Sequence, residues 1–546
     1  MNALPLAFKS MISWSPILIK ANMRTRPNSY SVKGVVSSSS QLASMAGADI
    51  IRSGGNLADA AVATSAVLCV TQNNLCGLGG DMFALIRMGD HEIIDLNASG
   101  RAFMRANIDY FTDSGLKTLP SRGHNSAITV PGIVSGWDEI YRKFCTMELN
   151  DLLSYAIKAA ENGFPVTHNY SSSIMGSSRY FSQFDEWKRI FLPNGEVPGP
   201  GTVFKQKDLG SSLRSLAENG LQSFYDGDLA DRILKGLDGT ENLISDADLL
   251  KHHVTTGSPL KTEIGDTSVY ETSPNSQGAT VILWLNLLQA SAGDKEITQS
   301  SFKTLLETGL LAYSKRDQEI TDPDFHKLPE FFTSKDYAED LLRTDRFDWS
   351  GASPKGDRGD TTYFCIADNE GNSLSWIQSN YMGFGSGIIP EGTGFVLQNR
   401  GSYFSLDPRH HNALAPGKRT FHTLCAGMLE NNGKFQASFG SMGGDIQPQL
   451  HIQMVLPLMK DLSDPQGILD NPRWAFPYTI YEKPSNFVCE TPDLKRNIER
   501  DFRKWEVRNL GFSSQLGHAQ IVSLLENGTV AGGADPRGDG MSIPFV

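Results

Sequence analysis

Residues 38–70, SSSQLASMAGADIIRSGGNLADAAVATSAVLCV, place Leu42, Met45, Ala46 and Ile50 at helical spacing, break at Gly54–Gly55, then resume as an alanine- and valine-rich run. That spacing predicts two helices. The glycine pair stops the first and Asn56 caps the second. The second is apolar on most sides and is expected to be buried. The next stretch, 73–101, changes period: glycines at 77, 79 and 80 precede strand-like MFALIRM, a turn at Gly89–Asp90 and strand-like EIIDL. Loop then hairpin is the wrong order for a phosphate-cradling motif, which needs strand, glycines and helix. From about 105 to 345 the pattern is mainly helical, with turn clusters such as LPNGEVPGPG at 192–201. Within it, PLKTEIGDTSVYET and ATVILWLNLL (259–288) predict a strand pair followed by a helix.

The grammar changes again after DWSGASPKGDRGD (348–360), a glycine- and charge-rich segment poor in large apolar residues and expected to be exposed and mobile. TTYFCIAD, NEGN and SLSWIQS read as a hairpin. Further strands are expected at GFVLQN, HTLCAGMLE and KFQASFGS, and a helix over 447–462. HAQIVSLLENGTVAGGADPRG is read as one strand followed by a glycine-rich tail. No fixed-period repeat is present. Helices with two sets of strands fit an α/β sandwich better than a parallel wound sheet or an all-β fold.

Composition narrows the function classes. The 546 residues are 40% hydrophobic and 20% charged, with a net charge of −12, which argues against nucleic acid or an anionic membrane as the main partner. No run reaches the roughly 18–20 apolar residues that span a bilayer. The opening MNALPLAFKSMISWSPILIK is interrupted by Lys9, Ser13 and Pro16 and lacks a small-residue cleavage site. It reads as a non-secretory leader packed on the surface, with a cytoplasmic location following. The six cysteines form no CxxC pair and the eleven histidines no HExxH, so buried free thiols and no metal site are expected.

The chemistry concentrates at Asp360–Thr361. A threonine hydroxyl needs a base. If the bond before Thr361 is cut, the new α-amine, with a pKa of about 7.7–8.0, can take the hydroxyl proton directly or through a water. One residue then supplies nucleophile and base, which suits a chain with no visible Ser-His triad.

Seven motifs in order carry a resemblance: GGNLADAAVA (54–63), GLGGDMFALI (77–86), DTTYFCIADNEGNSLSWIQS (360–379), GFGSGIIPEGTGFVLQN (383–399), SMGGD (441–445), NPRW (471–474) and GGADPRGDG (532–540). From about residue 30 to 546 the chain resembles the γ-glutamyltransferase family of N-terminal nucleophile hydrolases. The resemblance implies a four-layer αββα sandwich of mixed α/β (α+β) class. It also implies self-cleavage at Asp360–Thr361 into a large chain 1–360 and a small chain 361–546, interleaved in one domain. The product would be a heterodimer, alone or paired into a dimer of heterodimers, acting on a small-molecule amide without metal or cofactor. Thr361 would be the nucleophile, Ser379 the hydroxyl that hydrogen-bonds it, and Gly443 and Gly444 the backbone donors to the oxyanion.

Substrate positions depart from the family pattern. Where γ-glutamyl enzymes carry a glutamine and an amine-binding aspartate, this chain has Arg400 and Tyr403. The paired serines become His422 and Thr423, and the asparagine after the hydroxyl residue falls at Tyr381, with Asn380 one place early. Tyr363 replaces a common histidine, and Arg101 is the nearest candidate for the carboxylate clamp. Losing an ammonium partner and gaining a guanidinium fork favours an anionic acyl group without an α-amine. The pattern around 398–419 is similar to the branch with cephalosporin-acylase-like proteins and oxamate amidohydrolase. The expectation is amide hydrolysis. The rivals are an orthodox γ-glutamyl enzyme acting on glutathione and an uncleaved, inactive scaffold.

Overall fold

The computed structural model describes residues 24–89, 92–293, 295–344, 359–476, 486–503 and 505–546. The leader at 1–20, and the segment before Gly359 read as mobile, lie outside the described residues.

Two seven-stranded sheets face each other. Edge to edge, one contains Met541–Phe545, Gly34–Ser38, Gly359–Asp368, Ser373–Met382, Asp81–Arg87, Ile94–Ala98 and Thr255–Gly257. The other contains Ser29–Ser31, Val530–Ala534, Ala519–Leu524, Lys434–Ser441, Gly427–Asn431, Thr267–Glu271 and Leu260–Ile264. Neighbouring strands in both are antiparallel. Such sheets usually leave one face to water; here both faces of both are covered. Along Gly359–Asp368, Tyr363, Cys365 and Ala367 point into the layer between the sheets, while Phe364 and Ile366 join the core under the outer helices. Residues alternate faces along a strand, so a strand covered on both sides reads as the unbroken apolar run YFCIA. Helices Gln41–Arg52 and Leu57–Thr71 cover the first sheet; Gly278–Ala292, Gln447–Leu458 and Pro465–Asp470 cover the second. The result is the αββα sandwich expected above.

The helix pair forms as its sequence predicts. The Asn56 side chain accepts from the N–H groups of Ala58 (2.8 Å) and Asp59 (3.0 Å), and the Asp59 carboxylate accepts the Asn56 N–H. Every residue of Leu57–Thr71 is buried. The face of the first helix differs from expectation: Leu42 and Met45 are exposed, while Ala43, Ala46, Gly47 and Ile50 are buried. A Cβ on Gly47 would lie 2.3 Å from Thr64 Oγ1, so the helices meet through small residues and the longer ones turn outward.

Two other expectations change. GFVLQN is buried but joins no sheet; its backbone bonds go to loops, Leu397 N–H to Ile388 O and Gln398 N–H to Gly79 O. The glycine-rich end is not a tail: Val530–Ala534 and Met541–Phe545 are strands in different sheets. Glycine permits this, since a Cβ on Gly532 would meet the Ser542 hydroxyl at 2.2 Å.

Gly440 marks a close approach of the two sheets, because its Cβ would sit 2.4 Å from the Tyr363 ring. Gly440→Ala should therefore cost about 1–3 kcal/mol by overpacking, read as a lower denaturant midpoint with unchanged slope; an unchanged midpoint would mean that the ring moves aside freely.

Candidate active site

The hairpin Gly359–Asp368/Ser373–Met382 is regular from Ala367↔Ser373 to Thr362↔Gln378, then slips by one residue to Asp360↔Tyr381. Thr361 therefore stands opposite two residues, Ser379 and Asn380, in a β-bulge. Bulges re-aim side chains beside active sites. Tyr381 completes the distortion with φ of +79°. The outcome is a short hydrogen-bond chain: Thr361 Oγ1 donates to Ser379 Oγ (3.2 Å), Ser379 Oγ donates to the Asp360 carbonyl (2.6 Å), and Tyr381 N–H donates to Ser379 Oγ (2.7 Å). Thr361 is 1% exposed. One hydroxyl thus links the Thr361 side chain to the carbonyl of the bond that precedes it.

The second sheet supplies the facing wall. Strand Lys434–Ser441 ends at a turn in which Gly443 and Gly444 adopt φ of +149° and +55°, conformations that strain any residue with a Cβ. Gly444 opens a 3-10 turn, and neither glycine N–H has a protein acceptor among the described residues. The turn is braced from behind. Gln277 Nε2 donates to Gly444 O (2.9 Å), Tyr313 OH to Asp445 O (2.7 Å), and Arg316 pairs with Asp445 Oδ1 (3.1 Å).

Arg400 is 1% exposed. Its Nη1 donates to Thr423 Oγ1 (3.1 Å) and its guanidinium lies 4.0 Å from the centre of the Tyr381 ring. Nε and Nη2 have no hydrogen-bond partner, and no carboxylate pairs with it among the described residues. Burial pulls its pKa down from the ordinary guanidinium value. A buried, unpaired cation carries a large desolvation cost unless a ligand supplies the counter-charge.

Around this charge, His422 Nε2 meets Asp81 Oδ2 at 3.1 Å, while His422 Nδ1 accepts Leu424 N–H. Nε2 therefore carries the proton. Burial, with Arg400 and Arg419 nearby, holds the imidazole pKa well below its usual value; burial raises that of Asp81 to about 7. Asp81 Oδ1 also accepts from Gly100 N–H and Gln398 Nε2, both at 2.9 Å. Asn380 is fully buried with both side-chain amide atoms unpartnered, set against Gly77 and Gly80.

Two expected substrate residues have other partners. Arg101 Nη1 and Nη2 reach Asp322 (3.2 Å) and Asp324 (2.7 Å), so its charge is compensated within the protein. Tyr403 OH donates to Asp445 Oδ1 (2.5 Å) and supports the glycine turn. Sequence reasoning missed Asp81, Gln277, Arg316 and Asp445. The one signal was that Asp81 and Asp445 directly follow the glycine clusters GLGG and GG. Away from this site, Glu271, Cys425 and His451 bring three metal-type donors within 4.8 Å of one another. The ring is engaged on both sides, with Nδ1 2.7 Å from Glu271 and Nε2 3.7 Å from Cys425 Sγ.

Comparison with known proteins agrees with this geometry. The family model described as gamma-glutamyltranspeptidase matches residues 43–545. A glutathione hydrolase-like YwrD proenzyme from Bacillus subtilis is 35% identical over 94% of this chain and 98% of its own length. The oxamate amidohydrolase proenzyme of Klebsiella pneumoniae is 32% identical over 95% and 99%. The crystal structure of cephalosporin acylase from Bacillus halodurans superposes with a TM-score of 0.88 at 31% identity, covering 97% of this chain and 99% of that one. Among the described residues no helix is long and apolar enough to cross a membrane. Matched by the family model over most of its length and by relatives above 30% identity, this chain is a member of the γ-glutamyltranspeptidase family.

Proposed function

We propose that the protein cuts itself at Asp360–Thr361 and then hydrolyses amides of a small anionic acyl group through an ester on Thr361. The observation that carries the substrate class is Arg400, a buried guanidinium with two unused nitrogens and no salt-bridge partner among the described residues. Arginine presents a fork that matches a carboxylate with two parallel hydrogen bonds.

Self-cleavage starts from the uncut chain. Thr361 Oγ1 attacks the Asp360 carbonyl carbon and its proton passes by way of Ser379 Oγ, which is already bonded to both groups. The C–N bond breaks, the proton reaches the Thr361 nitrogen, and the Asp360 acyl group is left as an ester on Oγ1. Water hydrolyses that ester. The freed α-amine is then the base for turnover: it takes the hydroxyl proton as Oγ1 attacks the substrate amide, and returns it to the leaving nitrogen. The free N–H groups of Gly443 and Gly444 would receive the oxyanion, a contribution of about 2.7–4 kcal/mol per donor elsewhere.

A γ-glutamyl substrate would also need a carboxylate for its ammonium group. Tyr403 stands where the family has that aspartate, and the nearby Asp445 is already shared by Arg316 and Tyr403. The orthodox reading therefore finds no uncommitted acid at that position. An inactive scaffold would not need an unpaired buried cation beside an intact nucleophile chain.

Thr361→Ala should remain one 546-residue chain on a denaturing gel, whereas the wild type resolves into fragments 1–360 and 361–546. N-terminal sequencing of the smaller fragment should begin Thr-Thr-Tyr; any other start moves the cleavage site. Ser379→Ala should slow processing by about 100-fold or more, measured by quantifying uncut chain over time. Glutaryl p-nitroanilide should be a better substrate than its γ-glutamyl analogue. Arg400→Ala should lower kcat/KM for the glutaryl substrate by about 10- to 100-fold, and by much less for a neutral acyl anilide. Equal losses would make Arg400 structural.

A further inference from the structure

A cleft of about 320 Å³ opens beside the scissile bond, reaching Asp360 on one wall and Met442–Gly443 on another. It is distinct from the Arg400 enclosure, none of whose residues lines it. Its other lining residues, mostly hydroxyls and amides, come from the end of helix Leu57–Thr71 and the loop after it, from helix His168–Phe181 and from Ser514–Gln515, together with His518 and Asp539. Among the described residues no lysine or arginine lines it.

Two features make this a built subsite. Asp539 is held only by neutral donors, Thr167 Oγ1 on one oxygen (2.7 Å) and Asn169 Nδ2 on the other (2.8 Å). It has no cationic partner among the described residues. The nearest arginines are committed elsewhere: Arg473 pairs with Asp535, and Arg537 with Asp535 and Glu490. His518 is 9% exposed and its Nε2 has no hydrogen-bond partner. Its backbone carbonyl accepts Met442 N–H (3.1 Å), which fixes the residue to the turn that precedes the oxyanion donors. The cleft therefore offers an uncompensated negative charge and a spare imidazole nitrogen at the side of the scissile bond opposite in sign to the Arg400 enclosure.

We infer that this cleft receives the amine half of the amide and selects amines that carry a second, cationic group. The inference rests on the reading above of Thr361 as nucleophile and Arg400 as acyl anchor. The preferred substrate is then dipolar: an anionic end toward Arg400, the amide at Thr361, and a cationic end toward Asp539. His518 Nε2 accepts a hydrogen bond from the amine half.

The test holds the acyl group constant and varies the amine. The self-cleaved full-length protein is assayed with the mono-glutaryl amides of ethylenediamine, whose free end is cationic, and of ethanolamine, whose end is neutral and of similar size. The expected kcat/KM ratio favours the cationic amide by about fivefold and shrinks as salt is raised. Asp539→Asn should bring the ratio to near one. So should Ser172→Lys, which adds a cation at an exposed cleft position without removing a native contact. A wild-type ratio at or below one, or a ratio unchanged in both variants, overturns the inference. Loss of acyl preference alone sinks the Arg400 reading and leaves this ratio legible. If neither amide turns over, or the chain stays uncut, calorimetric titration with ethylenediamine against ethanolamine reads the same preference, and equal affinities overturn it.

Discussion

One residue of slippage in the central hairpin governs the chemistry. Without the bulge between Asp360 and Thr362, Thr361 would face a single partner in a regular ladder and its preceding carbonyl would be spent on that ladder. With it, that carbonyl accepts instead from Ser379, whose own oxygen receives the threonine proton and the N–H of a residue in left-handed conformation. The local cost of irregular backbone is borne by a hairpin buried on both faces and paired along most of its length to two further strands. The facing sheet must then come close enough to bring backbone donors to the same point. The absence of a side chain at Gly440, against the Tyr363 ring, allows that approach.

Around Arg400 the electrostatics divide into charges held in pairs and one, Arg400 itself, that has no salt-bridge partner among the described residues. Arg316 and Asp445 neutralise each other while holding the glycine turn through Gln277 and Tyr313. Asp81 and His422 share a hydrogen bond in which burial favours the neutral form of each. Arg101 has two carboxylates. Arg400 alone among these arginines keeps unused donors in a closed environment, stacked on a tyrosine. Partnered ions stabilise geometry; an unpartnered one leaves the cost of burying it unrelieved within the protein.

Local pattern made much of the fold legible. The cap at Asn56 and the hairpin around NEGN act over a few residues, and each formed where its residues indicated. What escaped depends on distant partners. GFVLQN has the composition of a strand, but its N–H groups find Ile388 and Gly79 instead of a neighbouring strand. VAGGA looks like a turn because glycine is a poor strand former, yet it is needed where Ser542 crosses close by. In the site, the resemblance placed Thr361, Ser379, Gly443, Gly444 and Arg400 in the sequence, but not the isolation of the Arg400 charge. Asp81 lies 341 residues from His422, and Asp445 lies 445 − 316 = 129 residues from Arg316, so neither pairing is visible locally. Arg101 and Tyr403 show the opposite case: plausible by position, yet engaged with carboxylates of the protein itself.

The strand order has a consequence for the life of the molecule. Both sheets alternate between material from before and after residue 360: Gly34–Ser38 lies between Met541–Phe545 and Gly359–Asp368, and Thr267–Glu271 lies beside Gly427–Asn431. An intact chain can assemble this weave unimolecularly, with only loop closure to overcome. Were the backbone severed as proposed at Asp360–Thr361, the same weave would have to be rebuilt by two separate polymers meeting in solution, an event that slows with dilution. Such a cut would turn a reversible fold into a ratchet: the two-chain protein would persist as long as its unfolding is slow, and a molecule that came apart would have no tether to bring its halves back.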